Sequence, residues 1–200
     1  MMADGKRAVF LDRDGVLSAL VLNPQTGEHE SPHVPANLRI MPGAAAAAQR
    51  LQEAGYLLFV VSNQPSYAKG KATLENIQAI AAQFDSLLRA EGVALTRAYY
   101  CYHHPQGIVP EYSYACLCRK PKPQFLFDAR DEFALDLRRS WMIGDRETDV
   151  ECGRRAGCRT ILIKNPLSAK GRSGRIRGTL SAKDLADAVA KLLACKEKEA

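Results

Sequence analysis

The chain has no run of apolar residues that approaches the roughly 18 needed to cross a membrane. The apolar stretch before Asp12, residues 8–11, is also too short for the core of a signal peptide. No internal repeat or low-complexity linker is present, and a charged fraction of 25% is ordinary for a globular protein. We therefore expect a single domain over residues 1–200, a cytoplasmic location, a monomeric state and no membrane partner.

A nucleotide-binding loop of the type Gly-x-x-x-x-Gly-Lys-[Ser/Thr] is absent as well, which excludes a P-loop kinase. Acids are missing from residues 164–177, where five lysines and arginines supply much of the net charge of +6. A basic loop of this kind can steer anions or bind nucleic acid, but it lacks the interleaved aromatics that stack on bases. We interpret residues 164–177 as a solvated loop and do not expect a nucleic-acid partner.

Apolar runs and helix-like patterns alternate along the chain, which is typical of an α/β protein. Residues 57–61 are uninterruptedly apolar, as in a strand of a parallel sheet that is covered on both faces. The pattern predicts a doubly wound, mostly parallel, Rossmann-like sheet without a large cap domain. The predicted strands are 9–12, 57–61, 97–101, 141–143 and 160–163, and a long loop is predicted at 15–42. The predicted helices are 44–54, Thr73 to about 88, Pro123 to about 135, one that begins at about 148, and Ser181 to about 193.

Two carboxylates, Asp12 and Asp14, end the first predicted strand and are followed by Gly15. Residues i and i+2 of a strand point to the same side, so both acids can converge at the sheet edge where α/β proteins bind ligands. Paired carboxylates repel each other unless a cation or a proton relieves the repulsion. The pattern favours Mg²⁺ and an aspartate nucleophile with an acid/base partner. An Asp-Gly turn with solvated acids is the alternative.

Polar residues follow two other predicted strands and precede a helix. Ser62-Asn63 follows the second strand, where a hydroxyl and turn amides can hold phosphate oxygens, although this pair is also common in ordinary turns. Asp145 follows the strand at 141–143 and is a candidate third acid for a cation site. Asp149 either shares that face or caps the next helix. Arg119-Lys120 places two cations directly before a helix.

Three cysteines and a histidine form a second candidate metal site, Cys101-x-His103 and Cys116-x-Cys118. Three cysteines and one histidine are a common tetrahedral zinc set, and four protein ligands make such a site structural. His104 is a competing ligand. Buried cysteines with a core histidine are the alternative explanation of the same spacing.

Taken together, residues 12–16, Ser62-Asn63, Lys120 and Gly144-Asp145 with Asp149 resemble, in order, the four motifs of the haloacid dehalogenase superfamily of phosphohydrolases. The resemblance covers about residues 7–165. It implies a phosphatase domain with the fold of that superfamily.

The resemblance implies a role for each acid. Asp12 attacks phosphorus and forms an aspartyl-phosphate, and Asp14 is the general acid for the leaving alcohol and then the general base for water. Mg²⁺ is held by the Asp12 carboxylate, the Asp14 main-chain carbonyl and Asp145. Asp149 lies behind these groups and orients Lys120 or a water on the metal.

Phosphate binding is assigned in the same way. The resemblance implies that Ser62, Asn63 and Lys120 hold the transferring phosphoryl group. Arg119 and Arg146 are expected to contact the distal part of the substrate.

The cysteine pattern resembles the zinc loop of heptose bisphosphate phosphatases and of the histidinol-phosphate phosphatase domain, and this selects His103 as the ligand. The link that begins His103-His104-Pro105-x-Gly107 is typical of the heptose enzymes. We therefore expect loss of the 7-phosphate from D-glycero-D-manno-heptose 1,7-bisphosphate. Histidinol phosphate or another sugar phosphate is the nearest alternative, and a nucleic-acid 3′-phosphatase is an alternative of another class.

Three positions depart from the family pattern. Pro65-Ser66 replaces the usual Ser-Gly, Tyr102 replaces a proline, and the loop after Gly15 is several residues longer. The loop and the Pro65-Ser66 turn border the expected sugar site, so these departures concern the substrate and not the chemistry.

Overall fold

The computed structural model describes residues 5–168, 173–174 and 176–197. Within them a six-stranded parallel sheet carries helices on both faces, and a separate two-stranded antiparallel hairpin follows the first strand. The strands are β1 (Ala8–Leu11), β2 (Val21–Asn23), β3 (Glu28–Glu30), β4 (Leu57–Asn63), β5 (Arg97–Cys101), β6 (Trp141–Gly144), β7 (Arg159–Ile163) and β8 (Leu180–Ala182). The helices are α1 (Ala44–Glu53), α2 (Leu74–Ala90), α3 (Gln124–Phe133), α4 (Glu147–Ala156) and α5 (Leu185–Glu197).

The sheet order is β5-β4-β1-β6-β7-β8, and its two faces are buried by different helices. Val9 and Leu11 of β1 pack with side chains of α1, α2 and α5, whereas Phe10 packs with side chains of α3 and α4. Because alternate strand residues point to opposite faces, a strand buried on both sides is apolar throughout. The predicted doubly wound, mostly parallel sheet is therefore confirmed.

Helix ends follow their local chemistry. The Thr73 side chain accepts a hydrogen bond from the Asn76 amide at 3.2 Å, so Thr73 caps α2 as predicted. Helix α3 ends at Phe133 rather than near 135, because Ala134 takes a left-handed conformation with φ 55°.

The prediction for Ser181 was wrong. Ser181 lies in β8, paired with Leu162 of β7, and the last helix begins at Leu185. Asp184 caps this helix instead, because its Oδ1 accepts from the Asp187 amide at 2.8 Å. A three-residue strand is too short for its alternation to be seen in the sequence.

The long loop predicted at 15–42 was only partly correct, because it contains the hairpin β2–β3. The hairpin pairs Val21 with Glu30 and Asn23 with Glu28. Its second strand is Glu-His-Glu and has no apolar face, so the sequence carries no strand pattern there.

The carboxyl ends of β4, β1 and β6 lie side by side, since these strands are neighbours and parallel. This arrangement brings the residues after each strand to one edge of the sheet. None of the helices in the described part of the chain combines the length and apolar character required for a membrane span.

Candidate active site

An open cavity of about 910 Å³ lies at the carboxyl ends of the central strands. Its wall includes predicted site residues from each segment: Asp12, Asp14, Ser62, Asn63, Arg119, Lys120, Arg146 and Asp149. The structure therefore brings together side chains that are more than one hundred residues apart in the sequence.

Lys120 lies between two acids at the base of this cavity. Its Nζ is 3.0 Å from Asp12 Oδ1 and 2.7 Å from Asp149 Oδ1, and it donates to the Val61 carbonyl at 2.6 Å. Burial lowers the pKa of Lys120, but Asp12 and Asp149 outweigh burial and raise it above its usual value. The ammonium therefore stays charged although the side chain is buried.

Three buried carboxylates converge beside this lysine. One oxygen each of Asp12, Asp145 and Asp149 lies within 4.8 Å of the others. Burial and the neighbouring Asp12 and Asp149 raise the pKa of Asp145 to about 7. Burial and Asp12 raise the pKa of Asp149 to about 6, in spite of Lys120. Carboxylates that are crowded and reluctant to ionise suit a hard divalent cation such as Mg²⁺.

Gly15 allows the backbone to approach this cluster. It has φ 88°, and a Cβ at this position would lie 2.0 Å from Asp145 Oδ2. The side chain of Asn165 donates to the Gly15 carbonyl at 3.1 Å, which holds the turn from the other side. A residue with a side chain cannot replace Gly15 without displacing Asp145.

The Asp14 side chain has a different set of partners. Arg13 donates to both of its oxygens, at 3.0 and 2.9 Å, and Ser18 Oγ donates at 2.9 Å. Burial raises the pKa of Asp14, but the Arg13 ion pair outweighs burial and lowers it below the usual value. Asp14 lines the cavity as a carboxylate with a fixed orientation.

Ser62 and Asn63 end β4 and have different surroundings. Ser62 is buried at the cavity wall. The Asn63 amide binds the main chain of Lys120 twice: Nδ2 donates to the carbonyl at 3.1 Å, and Oδ1 accepts from the amide at 3.0 Å. The side chain of Asn63 thus holds Lys120 in place beside the acids.

Four further cations line the cavity, together with Glu28, Glu30 and Glu147. Arg119 and Arg146, expected from the sequence, are joined by Lys69 and Lys71, which the sequence reasoning missed. Burial and the nearby Lys71 and Arg119 lower the pKa of Lys69. The segment Lys69-Gly70-Lys71, in the loop after β4, was the signal that could have revealed them.

The hairpin β2–β3 forms part of the same wall, through Glu28, His29 and Glu30. Lys71 forms an ion pair with Glu30, and Asn23 donates to the same side chain. The longer loop after Gly15 therefore borders the cavity directly.

The second candidate metal site is formed by Cys101, His103, Cys116 and Cys118, whose ligand atoms lie within 4.8 Å of one another. The separations are 3.5 Å between Cys101 and Cys116 Sγ, 3.3 Å between Cys118 and Cys116 Sγ, and 3.6 to 3.8 Å from His103 Nδ1 to Cys118 and Cys101 Sγ. Sulfurs at zinc–sulfur distances of about 2.3 Å in a tetrahedron are about 3.8 Å apart. The residues therefore fit zinc.

The groups around this cluster support that fit. His103 Nε2 is 2.8 Å from the Tyr114 hydroxyl, which fixes the ring with Nδ1 turned to the thiols. His104, the competing ligand, instead accepts from the Gln106 amide through Nδ1 at 3.1 Å. Hydrogen bonds from Cys118 and His103 lower the pKa of Cys101 to about 5, and the contact with Cys101 raises the pKa of Cys118, so Cys101 is the thiol of this pair that ionises first.

Comparison with known proteins places this chain in a family. The model of the HAD-hydrolase-like family matches residues 117–188. D-glycero-beta-D-manno-heptose-1,7-bisphosphate 7-phosphatase of Yersinia pestis is 34% identical over 173 residues, which cover 85% of this chain and 88% of that protein. The chain belongs to the haloacid dehalogenase family of phosphatases.

Solved structures support the same family assignment, and they indicate which members of the family this chain resembles. A HAD-like phosphatase from Mesorhizobium loti superposes with a TM-score of 0.78 at 29% identity, covering 98% of this chain and 88% of its own. D,D-heptose 1,7-bisphosphate phosphatase of B. bronchiseptica, complexed with magnesium and phosphate, has a TM-score of 0.73 at 25% identity and covers 97% and 99%. Within its family the chain thus resembles heptose bisphosphate phosphatases.

Proposed function

We propose that the protein removes the 7-phosphate of D-glycero-D-manno-heptose 1,7-bisphosphate through an aspartyl-phosphate intermediate. The observation that carries the proposal is the convergence of Asp145 and Lys120 on Asp12, which lines the cavity. The names of the relatives support the substrate. A cytoplasmic location and a monomeric state remain predictions.

Asp12 is the nucleophile of the first step. Its carboxylate oxygen bonds to phosphorus while the bond between phosphorus and the sugar oxygen breaks. Asp14, a carboxylate paired with Arg13 in this structure, must first take up a proton; the sugar oxygen then takes that proton and leaves as an alcohol. Lys120 and Ser62 bind the phosphoryl oxygens during this transfer.

Water completes the reaction in the second step. Asp14, now ionised, takes a proton from the water that attacks phosphorus, and the bond between phosphorus and Asp12 breaks. Phosphate leaves, and Asp12 and protonated Asp14 are restored. The ion pair with Arg13 lowers the pKa of Asp14 against its burial and so favours the ionised form that this step requires.

Asp12 and Asp145 are the proposed carboxylate ligands of Mg²⁺, with the main-chain carbonyl of Asp14. We assign Asp149 to Lys120 instead, because its Oδ1 is paired with Lys120 and its Oδ2 accepts from the Arg146 amide at 2.9 Å. Bound Mg²⁺ neutralises the repulsion between the carboxylate nucleophile and the phosphate.

The proposed zinc site, Cys101, His103, Cys116 and Cys118, is structural. Cys118 precedes Arg119, whose Nη1 donates to the His103 carbonyl at 3.2 Å. Lys122 Nζ donates to the Cys116 carbonyl at 2.8 Å. Zinc in this position holds the loop that presents Arg119 to the substrate.

The cations at the cavity mouth favour a bisphosphate over histidinol phosphate. Lys69, Lys71, Arg119 and Arg146 are suited to a second phosphate distant from the reacting one. Lys71 is already paired with Glu30, so Lys69, Arg119 and Arg146 are the cations that could bind this second phosphate. The alternative of a nucleic-acid 3′-phosphatase depended on the basic loop 164–177. Three cations of that loop, Lys170, Arg172 and Arg175, lie outside the residues that the structure describes.

Phosphate release from a panel of sugar phosphates, with histidinol phosphate and a 3′-phosphorylated oligonucleotide, tests the proposal. We expect the highest kcat/KM for the heptose bisphosphate, and we expect activity only when Mg²⁺ is present. In Asp12→Asn the kcat/KM should fall about 10³-fold or more. Asp128→Asn on the exposed face of α3 is the matched control. Activity that survives in Asp12→Asn would refute the nucleophile, and a preference for another substrate would refute the assignment.

A further inference from the structure

Gln64 is a buried side chain beside the active site to which neither the sequence motifs nor the proposed mechanism assign a role. It follows Asn63 at the end of β4, and only 2% of its surface is exposed. Its amide makes three hydrogen bonds: Oε1 accepts from Arg13 Nη2 at 2.8 Å, and Nε2 donates to Asp14 Oδ2 at 2.5 Å and to Ser62 Oγ at 3.0 Å.

The orientation of this amide is determined by its neighbours. A guanidinium group is only a donor, so it must face the amide oxygen, and the NH₂ group must then face Asp14 and Ser62. Arg13 is itself fully buried and is held by its two bonds to Asp14. Arg13, Asp14 and Gln64 are therefore mutually hydrogen-bonded, and the donor and acceptor ends of the Gln64 amide cannot be exchanged.

This set controls where the Asp14 carboxyl group lies. Arg13 and Ser18 come from the same chain segment as Asp14, from the turn after β1. Gln64 is the contact from the neighbouring strand, and it therefore fixes the turn after β1 relative to the end of β4. The next residue back, Asn63, fixes Lys120 in the same way.

We propose that Gln64 is a positioning residue that aligns Asp14 for proton transfer to the leaving oxygen. The inference rests on the proposed function, in which Asp14 is the general acid. An alkyl phosphate needs that proton, because an alkoxide is a poor leaving group. An aryl phosphate such as p-nitrophenyl phosphate needs it far less, since its leaving group has a pKa of about 7.

The test compares Gln64→Met with wild type on D-glycero-D-manno-heptose 1,7-bisphosphate, whose 7-phosphate is an alkyl phosphate, and on p-nitrophenyl phosphate, in the full chain with Mg²⁺. Methionine preserves the length of the side chain and removes all three hydrogen bonds. We expect kcat on the alkyl phosphate to fall at least about tenfold more than kcat on the aryl phosphate. Gln124→Met, on the surface of α3, is the control for the substitution and should leave both rates unchanged.

The ratio of the two rates separates positioning from folding. A smaller folded fraction lowers both rates by the same factor, so an unchanged ratio in active Gln64→Met would overturn the proposal. If Gln64→Met does not fold, Gln64→Glu supplies the same ratio, because its second oxygen faces Asp14 Oδ2 and repels it. Wild type that releases no phosphate from the heptose bisphosphate would instead refute the proposed function.

Discussion

Asp145 is the acid at the site whose charge is most opposed by its surroundings. It is fully buried, and burial together with Asp12 and Asp149 raises its pKa to about 7. In the unfolded chain its carboxyl group ionises near the ordinary value of 3.8. Between these two values the folded state holds a proton that the unfolded state releases, so folding becomes less favourable as the pH rises.

We therefore predict that, without divalent cations, the Tm of the wild type falls relative to that of Asp145→Asn between about pH 4 and about pH 7. The contribution of one group is at most about 1.4 kcal/mol per pH unit. Mg²⁺ should raise the Tm at pH 8 in wild type but not in the variant. Thermal melts check both, and an identical slope in Asp145→Asn would contradict the assignment.

Gly15 provides a second prediction at the scale of one residue. Gly15→Ala adds a Cβ that would lie 2.0 Å from Asp145 Oδ2, at a backbone φ of 88°. Gly27→Ala, in the hairpin loop, has a similar φ of 67° but no atom within 4 Å. Comparison of the two variants therefore separates the cost of backbone strain from the effect of displacing Asp145.

We expect Gly27→Ala to lose about 1 kcal/mol of stability with its Mg²⁺ dependence unchanged. Gly15→Ala should lose more than this and bind Mg²⁺ at least about tenfold more weakly, because Asp145 must move. Chemical denaturation and Mg²⁺ titration of activity measure the two effects. Equal behaviour of the two variants would show that the contact with Asp145 does not matter.

At the scale of elements, the loop 101–118 and the end of β4 hold two different parts of the site. The cysteine and histidine cluster lies next to Arg119, whereas Lys120 is held by Asn63 and by the two acids. Loss of zinc should therefore affect binding of the distal part of the substrate more than the chemistry at Asp12.

Removal of zinc should raise KM for the bisphosphate about tenfold or more and leave the Mg²⁺ requirement unchanged. Steady-state kinetics of zinc-depleted enzyme, with Mg²⁺ in excess and zinc measured by elemental analysis, test this. Cys118→Ser should reproduce the effect, and Cys195→Ser, in α5, should not. Unchanged kinetics in fully zinc-depleted enzyme would contradict the structural role.

At the scale of the whole molecule, the chain has a net charge of +6, and Lys69, Lys71, Arg119 and Arg146 line the cavity outside the group of acids around Lys120. Four cations there attract a doubly phosphorylated substrate more strongly than a singly phosphorylated one. Salt screens this attraction, because the Debye length falls from about 10 Å at 0.1 M to about 3 Å at 1 M.

We expect kcat/KM for the bisphosphate to fall at least about threefold more than kcat/KM for a sugar monophosphate over this range of salt. Lys69→Gln should reduce the difference, since Lys69 lines the cavity among the other cations. Parallel salt dependences for the two substrates would show that these cations do not act on the distal phosphate.

The sequence alone was sufficient to predict the main strands of the sheet. Strands buried on both faces are apolar throughout, so β1, β4 and β6 were predicted close to their observed bounds. Short strands were missed, both in the hairpin β2–β3 and in β8, because three residues carry no readable alternation. Their positions depend on partners that are distant in the sequence.

At the active site, too, some features could be predicted from the sequence and others depended on the fold. The type and spacing of the residues were sufficient to locate Asp12, Asp14 and Asp145 just after strands and Lys120 before a helix, because parallel strands bring their carboxyl ends to one edge. Lys69 and the acidic hairpin have no motif, and only the fold shows that they line the cavity and that Gln64 is buried against Asp14. Which partners a buried polar side chain finds depends on packing between segments, and that is decided by the tertiary structure.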